Sequence, residues 1–68
     1  MFYFFQKGST YLRCEILAGQ TGFELVVTEP SGNERREPFA TAQDAQRRWE
    51  HLQQELKDEN WLGPFGRE

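Results

Sequence analysis

The chain has 68 residues, 28% of them charged, 37% hydrophobic and 15% aromatic, with a net charge of −3 at neutral pH. That length gives one domain near the lower limit of a self-sufficient core, and no staple is available: Cys14 is the single cysteine and His51 the single histidine, so an intrachain disulfide and a Cys/His zinc cluster are both excluded. Close packing or a second subunit must supply the stability instead. The acidic balance also disfavours non-specific attraction to phosphate backbones or anionic membranes.

The apolar run over residues 1–5 is too short for a signal peptide, has no basic residue before it and no small-residue cleavage site after it. No segment has the length of a membrane-spanning helix. Together with a lone free cysteine, these features predict a soluble cytoplasmic protein.

The first strand is expected over residues 2–7, followed by a turn at Gly8–Ser9. Residues 10–17 alternate cleanly, with Leu12, Cys14 and Ile16 on one face and Tyr11, Arg13 and Glu15 on the other. Residues 18–22 read as a loop. Residues 23–29 are rich in aromatic and β-branched side chains and form the strongest strand.

The turn Glu29–Pro30–Ser31–Gly32 is the best-specified local feature. Proline presets φ for a type I turn, and glycine can take the left-handed conformation that starts a bulge. Counting outward from a closure at Glu29 and Asn33 pairs Thr28 with Glu34, Val26 with Arg36, Leu25 with Glu37 and Phe23 with Phe39. Phe23, Leu25, Val27 and Phe39 then share a face with Leu12, Cys14 and Ile16. Glu24, Thr28, Glu34 and Arg36 face away, with Val26 the lone apolar residue among them. Pro38 removes a ladder donor and belongs at an edge or end.

After Phe39 the register changes from two to three-and-four. Thr41 is suited to cap a helix, with Asp44 completing a capping-box-like pattern. Ala42, Ala45, Trp49, Leu52 and Leu56 fall on one narrow stripe, and Arg47, Glu50, His51, Gln54 and Asp58 lie opposite. The helix should end near Asn60, since Gly63–Pro64 forbids continuation. Residues 61–68 form a short tail that folds back or protrudes.

Catalytic chemistry finds no constellation. Cys14 falls on the core face, where a thiol is inert, and His51 lies on the solvent side of the helix without partners for a triad. The Pro30–Ser31–Gly32 turn is too short for a phosphate loop and has neither lysine nor helix after it. No enzyme activity, cofactor or metal is expected.

The residues Phe23–Glu24–Leu25–Val26–Val27, then Pro30–Ser31–Gly32–Asn33, then Phe39–Ala40–Thr41–Ala42–Gln43–Asp44–Ala45 resemble the N-terminal arm-type DNA-binding domain of tyrosine-recombinase integrases, over roughly residues 10–57. The resemblance implies an antiparallel three-stranded sheet with one helix, and a sheet face that reads a major groove. Arg13, Arg35 and Arg36 are the nucleic-acid contacts it would use. Where that family's sheet is rich in lysine and arginine, here Glu34 and Glu37 bracket the arginine pair, and Asp44 and Glu50 lie within a turn of Arg48 and Arg47. A variant reading is a single-strand stacking platform built from Tyr3 or Phe5 with Tyr11.

The apolar residues exceed what one helix stripe can cover. We therefore expect an α+β domain, an antiparallel meander of three or four strands followed by one C-terminal amphipathic helix packed on one face. Trp49, Leu52, Leu56, Phe23, Leu25 and Phe39 form its core. The expected function is protein–protein interaction or self-association, as a homodimer formed by edge-to-edge extension or by exchange of the N-terminal strand or helix. Phe2, Phe4, Trp61 and Phe65 are the expected interface.

Overall fold

The computed structural model describes residues 2–67, the side chain of Arg67 apart. Met1 and Glu68, the outer ends of the apolar run and of the expected tail, lie outside the described residues. The elements are β1 (Phe2–Lys7), β2 (Thr10–Gly19), β3 (Gly22–Thr28), β4 (Glu34–Phe39), α1 (Ala42–Asp58) and β5 (Leu62–Arg67). The strands form one antiparallel sheet in the order β4-β3-β2-β1-β5, and α1 packs against it.

The fold class is α+β, as the patterning predicts, with two corrections. The meander gains a fifth strand, and the helix is followed by that strand instead of closing the chain. The helix leaves one edge of the sheet at β4, and β5 pairs antiparallel with β1 at the other.

The β3–β4 hairpin follows its turn chemistry. The Gly32 N–H donates to the Glu29 carbonyl and the Glu29 N–H donates to the Asn33 carbonyl, both at 2.8 Å, with Gly32 at φ 96°. The four expected cross-strand pairs are all present. The β2–β3 connection is tighter than expected. Residues 18 and 19 continue β2, Gly19 pairs with Gly22, and only Gln20 and Thr21 turn.

Thr41 caps α1 from an extended backbone, its hydroxyl accepting from the Asp44 N–H at 3.2 Å. The helix ends in a Schellman arrangement. Asn60 takes φ 71°, its N–H reaches the Lys57 carbonyl at 3.0 Å, and the Trp61 N–H reaches the Leu56 carbonyl at 2.9 Å. This reversal lays Trp61 against the core and points the chain back along β1.

The core lies between sheet and helix: Phe5, Leu12, Cys14, Leu25 and Val27 from the strands, Trp49, Leu52 and Leu56 from α1. Tyr3, Ile16, Phe39 and Trp61 pack around it, and Phe23 is half-buried at the start of β3. Ala42, expected on the buried stripe, is exposed at the first helical position. Trp49 is the hub. Tyr3 stacks on it with centroids 5.3 Å apart, and Phe5 meets it edge-on at 6.0 Å.

Candidate interaction face

Because strand side chains alternate, placing Tyr3 and Phe5 under the helix turns Phe2 and Phe4 to the opposite, outer face. The β1–β2 register pairs Gln6 with Tyr11, Phe4 with Arg13 and Phe2 with Glu15, so these side chains share that face. From β5, Phe65 stands beside Phe4 and Leu62 beside Gln6. The Phe4 ring lies 5.7 Å from Phe65 and 6.1 Å from Tyr11, and the Arg13 guanidinium lies 5.6 Å from the centre of the Phe2 ring. One aromatic surface thus draws on both ends of the chain.

The surface is open to solvent. Phe2 is 40% exposed, Tyr11 53%, Leu62 63% and Phe65 43%. The other half of the same sheet face, on β3 and β4, is different in kind. It carries Glu24, Glu34 and Arg36, and its one large apolar residue, Val26, is only 3% exposed between Glu15 and Arg36 in the ladder.

Of the four expected interface residues, the fold brings Phe2, Phe4 and Phe65 together and separates Trp61. That ring packs on the core from the helix side, where the Lys7 ammonium lies 5.6 Å from its centre. Leu62 is not among the expected interface residues, and Tyr11 was expected to share a face with Tyr3 or Phe5. The signal was available. Counting outward from the two-residue Gly8–Ser9 turn puts Tyr11 and Arg13 on the face of Phe4, and Tyr3 opposite Cys14 on the other. The stacking platform of Tyr3 or Phe5 with Tyr11 is therefore corrected, since those rings lie on opposite sides of the sheet.

Arg13, Arg35 and Arg36 do not form one patch. Arg13 and Arg36 are on the outer face, whereas Arg35 pairs with Val27 on the helix side. Each is held by a carboxylate. Arg13 lies 3.3 Å from Glu15, Arg35 3.3 Å from Glu29, and Arg36 bridges Glu24 at 2.6 Å and Glu34 at 3.3 Å. Hydrogen bonds that its guanidinium donates to Glu24 and Glu34 raise the Arg36 pKa above its already high ordinary value.

The helix arginines are matched too, though not as the sequence spacing suggests. Arg47 is 3.9 Å from Asp44, and Arg48 reaches Glu37 on β4 at 3.0 Å and Glu55 at 3.3 Å. The Arg48–Glu37 contact ties the helix to the edge strand.

Cys14 is 1% exposed, and burial pushes its thiol up to about 12 against a smaller opposing effect of Arg35. His51 is exposed beside a shallow depression lined by Phe39, Asp44 and Arg47. Among the described residues, no group of three or more His, Cys, Asp or Glu is placed to hold a metal ion. No described helix is long and apolar enough to cross a membrane. No protein-family model, curated protein or solved structure matches the chain.

Proposed function

We propose that this chain is a small, non-enzymatic, cytoplasmic protein–protein interaction module that works by self-association, with the homodimer as its simplest closed form. The observation that carries the reading is the contiguous surface that half-buried Phe4 forms with the exposed Phe2, Tyr11, Leu62 and Phe65 on the sheet face away from the helix. Aromatic side chains concentrate at interface cores because they remove much surface from water at little entropic cost.

The face supports this reading better than the edges do. β4 presents Glu34, Arg35, Arg36, Glu37 and Pro38, and charge and proline both discourage strand addition. β5 includes Pro64, and its ladder with β1 is irregular between Phe4 and Gln6. Exchange of the N-terminal strand fits poorly as well, because β1 is an interior strand that would have to leave two neighbours.

The competing reading is nucleic-acid binding on the same sheet face through Arg13, Arg35 and Arg36, as the integrase resemblance implies. It is disfavoured because the three arginines divide between two faces and each already holds a carboxylate.

Size-exclusion chromatography with light scattering, paired with low-salt anisotropy titrations of duplex and single-stranded oligonucleotides, separates the two. Self-association predicts a mass that rises with concentration and no salt-sensitive oligonucleotide binding. A mass of 8.0 kDa at several hundred micromolar would overturn it.

A further inference from the structure

Resting on the self-association reading, we propose that the second copy of this chain docks face to face about a two-fold axis running along β1, covering only the β2–β1–β5 half of each outer face. Three observations lead there.

The first is the division of the face. The β2–β1–β5 half carries Phe2, Phe4, Tyr11, Leu62 and Phe65 around the Arg13–Glu15 pair, whereas the β3–β4 half is dominated by Arg36 bridged to Glu24 and Glu34. Covering that triad would strip water from three charges with little return. Val26, the apolar residue there, is already buried. A dimer that overlays only the aromatic halves leaves both charged halves in solvent, one projecting on each side.

The second is charge. An isologous face-to-face contact has its two-fold axis in the plane between the sheets. An axis across the strands, centred on Phe4, would set β2 over β2 and bring Arg13 against Arg13 of the second copy. An axis along β1 sets β2 over β5 and keeps the like charges apart.

The third is the register that this axis generates. Arg13 and Phe65 both lie level with Phe4, and Tyr11 and Leu62 both lie level with Gln6. Rotation about β1 keeps each level and exchanges the sides. Arg13 then faces the Phe65 ring of the second copy, a cation over an aromatic face, and Tyr11 faces Leu62. Phe4 meets its own symmetry mate on the axis. The face is complementary to itself about this axis.

The same geometry sets the strength. Three strands about 4.8 Å apart and six residues long give a footprint on the order of 300 Å². A standard stable interface buries about 800 Å² of accessible surface on each partner. The dimer is weak and reversible, populated at high micromolar concentration.

The test mixes two single variants, Tyr11→Cys and Leu62→Cys, chosen because both positions are exposed and outside the core. Native Cys14 stays, since it is buried. With sheet backbones stacked about 10 Å apart and each thiol projecting roughly 2.5 Å into the gap, the mixed pair's thiols come within about 5 Å while two copies of either variant hold theirs about 11 Å apart. A thiol cross-linker of about 5 Å reach should join Y11C to L62C several-fold more than either variant to itself. Arg13→Cys alone should cross-link poorly.

Efficient self-linking of R13C would mean that the axis crosses the strands and would overturn the proposal. If light scattering gives a dimer but the mixture links no better than the single variants, this docking is wrong and self-association stands. A monomeric mass at the same concentration removes both.

Discussion

Phe4 and Phe65 stand side by side on neighbouring strands, ring centroids 5.7 Å apart, although 61 positions separate them in the chain. One residue further along β1, Phe5 points through to the helix and meets Trp49. The pleat of a single strand therefore assigns adjacent phenylalanines to different tasks, one to the interior and one to the open face.

That assignment can be measured. Phe5→Ala should cost about 3–5 kcal/mol, since a fully buried ring leaves a cavity beside Trp49. Phe4→Ala should cost roughly 1 kcal/mol because the ring is only half-buried, while weakening self-association. Chemical denaturation gives the first pair of values and light scattering the second. Equal stability losses would contradict the two-faced reading of β1.

Trp61 and Phe65 should separate in the same way. Trp61→Ala removes a ring that packs on the core and covers the helix end, so it should destabilise the fold by about 1–3 kcal/mol. Dimerisation of its folded fraction should be unchanged. Phe65→Ser should leave the unfolding midpoint within a few degrees and abolish the concentration dependence of the mass.

The docking of β5 rests on close backbone approach. A Cβ on Gly66 would lie 2.7 Å from the Phe2 carbonyl oxygen, at a φ of 129° that side-chain-bearing residues rarely adopt. Gly66→Ala should destabilise by more than about 1 kcal/mol, from strain at a positive φ together with the clash. Hydrogen exchange should accelerate in the β1–β5 ladder before the β3–β4 ladder. Unchanged protection on β1 would show that β5 contributes little.

The two ends of the sheet differ in how readable they were. The β3–β4 register followed from Pro30 and Gly32, because a turn of defined type fixes every pair beyond it. The helix followed from Thr41 and the three-and-four spacing to Leu56. β5 was hidden because Gly63, Pro64 and Gly66 read as breakers. At an edge strand, proline loses no needed donor and glycine permits the backbones to touch. The aromatic face was half-hidden for another reason. Residues 2–5 are all aromatic, so alternation carries no signal there, and only the Gly8–Ser9 turn fixes which rings face out. The split of Arg13 and Arg36 from Arg35, by contrast, was already implied by the alternation of β2 and by the pairing of Val26 with Arg36, which turns Arg35 to the other face.

Cys14 gives the fold an alkaline limit. Its thiol titrates near 9.0 ordinarily and is pushed up to about 12 by burial. Below pH 9 both folded and unfolded chains keep the proton, and stability is unaffected by this group. Between about 9 and 12 the unfolded chain binds fewer protons, so stability falls as pH rises, by up to about 1.4 kcal/mol per unit. Cys14→Ala should remove that increment. The difference between the two proteins' pH profiles, measured by urea titration, isolates it from tyrosine and lysine ionisation. Parallel profiles from pH 9 to 11 would contradict a buried thiol.

The central claim is that the outer face of β1, β2 and β5 is the contact surface. Amide chemical shifts followed by NMR on dilution from several hundred to a few micromolar test it most directly. The expected result is a set of concentration-dependent shifts confined to Phe2, Phe4, Tyr11, Arg13, Leu62, Phe65 and their ladder neighbours, with α1 unmoved. Spectra that do not change on dilution, or shifts centred on residues 42–58, would contradict it.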